Sequence, residues 1–141
     1  VRLSTRHGRN APPHVAFAGS VEDWCGDASN TIPVVARWVE RLPNAELRLV
    51  RRDQHFDLME RYLTGTSRSI PIVVVLTDEM EDVGHWGPRP SELQAWVVEQ
   101  KRARAGKELY PEVRTWYAKD KGETTLREVL AVMSRAPAAK A

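Results

Sequence analysis

One side chain in this sequence can act as a soft nucleophile. It is Cys25, the sole cysteine, in the stretch Trp24-Cys25-Gly26-Asp27-Ala28. It stands where a small apolar run gives way to a helical pattern. At a helix N-terminus the unpaired backbone N–H groups and the positive end of the helix dipole favour thiolate over thiol, and the thiolate is the reactive form. The chemistry open to Cys25 is therefore attack on a disulfide or a thiol adduct. The opposing reading is an inert cysteine that packs as a small hydrophobe. Asp27 could carry a proton to or from Cys25, or could serve the helix dipole as acids in a first turn do; a carboxylate beside the sulfur also opposes thiolate formation. Trp24 flanks the thiol, either as an apolar lid or as half-buried packing.

Other chemistries find little support in the residues. His7, His14, His55 and His85 lie in separate segments without ligand spacing, and one cysteine cannot close a zinc site within one chain, so no metal is expected. An iron–sulfur cluster shared by two subunits, each giving Cys25, is the remaining alternative. There is no phosphate-cradling glycine loop and no serine-nucleophile signature. Lysine and arginine number 21 against 19 aspartates and glutamates, a net +2 with both signs interspersed, which asks for no nucleic acid. The longest apolar run, Ile70 to Leu76, falls far below the roughly 18 residues of a membrane span, so no membrane partner is expected either. Val1 to Pro13 lacks the apolar centre of a secretion signal. Its arginine-rich, acid-free composition faintly suits a transit peptide, but a flexible arm is the reading adopted. A single cysteine excludes an internal disulfide, and a reducing, cytoplasmic setting fits that usage.

The elements that must position the thiol follow from hydropathy period. The chain of 141 residues is read as an arm over 1–13 and one domain over 14–141. His14 to Ser20 reads as a buried strand ending near the cysteine. Ala28, Ile32, Val35, Val39 and Leu42 then make one face of a helix, in which Pro33 predicts a kink and not a stop, because the period continues in phase. Glu46-Leu47-Arg48-Leu49-Val50-Arg51 alternates as a strand does, and a second helix is expected from Asp53 to Gly65. Ile70 to Leu76 is apolar on both faces and is expected to be the central strand. Pro71 at its start marks an edge, a bulge or a cis peptide. Thr77 to Asp82 is a turn, Val83 to Trp86 the returning strand of a hairpin, and Gly87-Pro88-Arg89-Pro90 a break. A helix capped by Ser91 and Gln94 carries Leu93, Trp96 and Val97 inward and ends near Gly106. Tyr110, Val113, Trp116 and Tyr117 suggest a short helix or turn. Thr125 with Glu128 is expected to cap a last helix bearing Leu126, Val129, Leu130 and Met133. The order predicts an open α/β sheet with crossover helices and its active site beyond strand carboxyl ends, where Cys25 falls.

Three features coincide: Trp24-Cys25-Gly26 between first strand and helix, Pro33 within that helix, and Ser69-Ile70-Pro71 opening the third strand. Together they resemble a thioredoxin-like protein. Trp24-Cys25-Gly26-Asp27-Ala28, Leu58-Met59 with Tyr62-Leu63-Thr64-Gly65, Ile70-Pro71, and Trp86-Gly87-Pro88-Arg89-Pro90 further resemble a bacterial subgroup of that superfamily, over Val15 to the last helix. The resemblance implies a central mixed sheet of about four strands flanked by helices, here with an extra C-terminal helical segment, and a cis Ile70–Pro71 bond facing the thiol. It also implies that Ala28 stands where the family has its second cysteine, so a chain of this kind cannot resolve its own mixed disulfide. One-thiol exchange remains, with an external thiol as resolver.

The substrate groove expected on this basis comprises Trp24, Ile70 and Pro71, with Ile70 offering its backbone to an extended peptide. Arg68 would bind a ligand carboxylate or favour the Cys25 thiolate, and Trp86 and Arg89 would rim the groove; a solvated arginine and a rigid turn are the competing readings. The expected partner is a disulfide-bearing protein or a low-molecular-weight thiol acting as co-substrate, with no other cofactor. The alternative function is a non-catalytic binding module that uses the same groove for a peptide or protein.

Overall fold

Residues 14–17, 26–42, 45–49, 71–77, 79 and 81–135 are described in the computed structural model. Strands β1 (His14–Phe17), β2 (Val73–Leu76) and β3 (Asp82–Trp86) form a sheet in the order β1-β2-β3. The middle place of β2 follows from its composition. Alternate side chains of a strand point to opposite faces, and here both faces are apolar: Val73 and Val75 enter the main core, while Ile72 and Val74 form a second cluster with Leu76. Both neighbours run antiparallel, with Ala16 opposite Val74 on one side and His85 opposite Val74 on the other. The hairpin turn is closed by Thr77, whose N–H donates to the Glu81 carbonyl at 2.9 Å and whose hydroxyl oxygen accepts the Glu81 N–H at 3.1 Å.

Helix α1 (Gly26–Glu40) buries Ala28, Thr31, Ile32, Val35 and Val39. It runs through Pro33, which faces solvent, so the burial of a continuous apolar stripe outweighs the hydrogen bond that proline cannot make. Early carbonyls find side-chain donors: Thr31 Oγ1 donates to the Asp27 carbonyl and Asn30 Nδ2 to that of Gly26, each at 2.7 Å. Helix α2 (Ser91–Gln100), a 3₁₀ turn (Gly106–Leu109) and helix α3 (Tyr110–Asp120) enclose a separate cluster of Leu93, Val97, Leu109, Val113 and Tyr117. Arg104 braces that connection by donating to the Glu108 carbonyl at 3.1 Å and to Glu112 Oε1 at 2.8 Å. The hydrogen bond to Glu112, aided by the negative charges of Glu112 and Glu108, holds the guanidinium above its ordinary pKa against desolvation. Helix α4 (Glu123–Met133) lies against α1 and β3. Gly122 before it adopts φ +79°, and a Cβ there would come within 2.7 Å of Val34, so the turn into α4 requires glycine.

Several expectations need correction. The segment 45–49 is irregular, not a strand, and the sheet among the described residues has three strands, all antiparallel. The alternation nevertheless marked the covered side chains, since Leu47 is buried and Leu49 is partly buried against the same core. Alternation reports which face is covered; a ladder needs a partner in register as well. The N-cap of α2 is Pro90, not Ser91, and the Ser91 hydroxyl donates to Glu128 instead. Helix α4 starts before Thr125: Asp120 accepts the Thr124 N–H at 3.0 Å, Thr125 is buried in the core and Glu128 turns toward Trp86. With the start moved, the inner face becomes Thr125, Val129, Val132 and Met133, and Leu130 is exposed. Helix α2 ends at Gln100, before the expected Gly106. The helix expected over Asp53 to Gly65 and the arm over 1–13 lie outside the described residues.

Candidate functional site

Helix α1 begins at Gly26, the residue that follows Cys25 in the sequence. Cys25, Trp24, Arg68 and Ile70 lie outside the described residues. The site can be built from Asp27, Pro71, Trp86 and Arg89.

The ends of β2 and β3 meet with Val73 opposite Trp86. Beyond them Gly87 takes φ +121°, and a Cβ on it would overlap the Pro71 carbonyl oxygen. Only glycine permits that approach of two backbones. The next peptide bond, Gly87–Pro88, is cis, whereas the bond expected to be cis, Ile70–Pro71, involves a residue outside those described. Pro71 itself is buried beneath this turn.

The turn delivers Arg89 to the first turn of α1. Its Nη2 lies 2.9 Å from Asp27 Oδ2, with the two side chains only 18% and 13% exposed. Its Nη1 donates to Gln94 Oε1 at 2.8 Å, and its Nε is buried without a hydrogen-bond partner. The other oxygen of Asp27 accepts the Tyr117 hydroxyl at 2.7 Å, from a residue ninety positions along the chain. Asp27 thus joins three elements at a partly buried point. The pairing sets a positive guanidinium against the carboxylate that would otherwise oppose a neighbouring thiolate.

Trp86 does not join this cluster. Its ring is 6% exposed in the main core, and its Nε1 donates to Glu128 Oε1 at 2.8 Å. The Ser91 N–H donates to the same carboxylate at 3.0 and 3.1 Å. Of the expected site residues, Asp27 and Arg89 are therefore in contact, Pro71 underlies the turn that carries Arg89, and Trp86 belongs to a second carboxylate joint.

Tyr117, Gln94 and Gly87 were not among the expected site residues. The sequence places Tyr117 only in a short helix or turn with Tyr110, Val113 and Trp116. The available signal was chemical: a tyrosine with a buried ring needs a partner for its hydroxyl. Among the described residues, no group of three His, Cys, Asp or Glu side chains gathers as a metal site, and no helix is long and apolar enough to cross a membrane.

A family model described as thioredoxin matches residues 14–105. Two solved structures superpose well. A protein of unknown function from Pseudomonas aeruginosa gives a TM-score of 0.65 at 21% identity, covering 89% of this chain and 68% of that one. An HIV epitope-scaffold gives 0.63 at 22% identity, covering 89% and 67%. At such identities the likeness is one of fold. A search of curated proteins gave no match to this chain.

Proposed function

The chain belongs to the thioredoxin family, and from that premise we propose that it performs single-thiol exchange through Cys25. The observation that carries this reading is the start of α1 at the residue after Cys25, with the carboxylate of Asp27 already paired to Arg89. The helix dipole and unpaired N–H groups then favour the thiolate without a bare negative charge opposing them. Cys25 S⁻ attacks one sulfur of a substrate disulfide; a Cys25–S–S–substrate bond forms, and the other sulfur leaves as thiolate and takes a proton from water. An external low-molecular-weight thiol, as its thiolate, then attacks the substrate sulfur of that mixed disulfide, which releases Cys25 S⁻ and carries the substrate off on the new disulfide.

Ala28, buried at 2% exposure, occupies the position the family gives to a second cysteine, so resolution is assigned to the external thiol. In this reading Ile70, in a cis bond to Pro71, guides the substrate, Trp24 and Arg68 line the groove, and the protein works in a reducing compartment such as the cytoplasm. Asp27 is assigned to holding charge and geometry, because both its oxygens already accept from Tyr117 and Arg89. The test is incubation of the folded protein with oxidised glutathione, followed by mass measurement. The expected result is one glutathione per chain, removed on addition of reduced glutathione; no adduct on the folded chain would overturn the reading.

The same engagement of Asp27 favours a second reading, a binding module that recognises a peptide or protein without redox turnover. Under it Cys25→Ser keeps every partner that the native chain captures, and under the first reading it loses those held through sulfur.

A further inference from the structure

We infer that α2, the 3₁₀ turn and α3 together form a flap that opens as one unit off the first turn of α1, with the hydrogen bond from Tyr117 to Asp27 as its latch. This motion is independent of whether Cys25 exchanges disulfides.

The flap carries its own core. Leu93 and Val97 of α2, Leu109 of the 3₁₀ turn, and Val113 and Tyr117 of α3 bury one another in a cluster apart from the one that joins α1, the sheet and α4. Arg104 braces the connection from within, through the Glu108 carbonyl and Glu112. A segment built in this way separates cooperatively, because its inner contacts stay made when it opens. Its ties to the rest of the chain include two polar joints. At the entry Ser91 donates to Glu128, and from α3 the Tyr117 hydroxyl donates at 2.7 Å to Asp27 Oδ1. At the exit Lys121 and Gly122 are both left-handed, with φ +56° and +79°. Helices α3 and α4 are thus joined by a sharp turn and not by a continuous helix, and residues at such element ends absorb the backbone change when a flap moves. Opening frees Asp27 Oδ1 and uncovers the side of the first turn of α1 that Tyr117 closes, so the flap controls access to the start of that helix.

The test is native-state hydrogen exchange, read peptide by peptide by mass spectrometry on the full chain, native and with Tyr117→Phe, which keeps the ring and its packing. In the native chain the amides of α2 and α3 are expected to exchange faster than those of β2 and with the same protection as each other, the mark of a common opening. Tyr117→Phe is expected to speed exchange in both helices alike, by about tenfold, the scale of one hydrogen bond to a charged acceptor, and to leave β2 and α4 unchanged. Asp27→Asn weakens the latch from the other side and also takes the anion from Arg89, so the same pattern is expected with an effect at least as large. If one variant fails to fold, the other decides. Speeding confined to α3, an equal rise in β2 and α4, or no change in either helix would overturn the inference. So would native protection in α2 and α3 equal to that of β2.

Discussion

Asp27 and Glu128 are two carboxylates at which distant parts of the chain meet, and they meet different chemistry. Glu128, in the middle of α4, accepts from neutral donors: the Trp86 indole N–H, and the Ser91 N–H and hydroxyl. Asp27, in the first turn of α1, accepts from a cation and a phenol, Arg89 and Tyr117. Both grip the turn Gly87-Pro88-Arg89-Pro90, Glu128 at its flanks and Asp27 at its centre. A carboxylate used only for stability can be served by neutral donors in a well-packed place. One set beside a reactive group must also have its charge compensated, and of the two joints, among the described residues, Asp27 is the one paired with a cation. The comparison marks Glu128 as a joint of neutral donors and Asp27 as one held by a cation, which is what the proposed single-thiol reading asks of Asp27.

The largest effect should come from the turn that both carboxylates hold. Gly87→Ala puts a Cβ onto the Pro71 carbonyl at φ +121°, and neither backbone can yield without moving a strand end. Left-handed strain and steric overlap together predict a loss on the order of 3–5 kcal/mol, or failure to fold, read by urea unfolding. A loss below about 1 kcal/mol would mean that the turn is not held as described.

Breaking the comparison itself comes next. Asp27→Ala leaves Arg89 partly buried without its anion and should cost about 2–3 kcal/mol in urea unfolding. It should also change the Cys25 alkylation rate. Glu128→Gln keeps one acceptor and turns an amide N–H₂ toward donors, for a loss of about 1–2 kcal/mol with the alkylation rate unaltered. If Glu128→Gln moved the thiol rate as much as Asp27→Ala does, the division between the two joints would fail. The smallest effect sharpens the account of α4: Leu130→Lys, at a position 50% exposed, should alter stability by less than about 0.5 kcal/mol in thermal unfolding.

These two joints also mark where the sequence stops being readable. The α1 stripe through Pro33, the central place of β2 and the β2–β3 hairpin were legible because each depends on local period and local turn chemistry. The caps were misread for a physical reason. Ser91 with Gln94 and Thr125 with Glu128 have capping-box spacing, but Ser91 and Glu128 spend their polar atoms on each other across 37 residues, and Gln94 serves Arg89. A long-range partner takes Ser91 and Glu128, whereas the Thr125 hydroxyl is buried without a hydrogen-bond partner, because α4 starts at Glu123, two residues earlier. Residues 45–49 show a similar limit, because alternation foretold burial of Leu47 but not the pairing of strands. In the candidate site, Asp27 and Arg89 could be singled out by type and by motif. Tyr117 could not, since nothing in sequence joins it to a residue ninety positions earlier.

In the proposed reading, the start of α1, with Asp27 paired to Arg89, activates Cys25. The most direct measurement is the rate at which oxidised glutathione forms a mixed disulfide with the folded chain, compared with the same chain unfolded in urea at equal pH. A faster reaction in the folded state at neutral pH is expected, because the unpaired N–H groups of a helix start favour a thiolate next to them. A folded chain that reacts no faster than the unfolded one would contradict it.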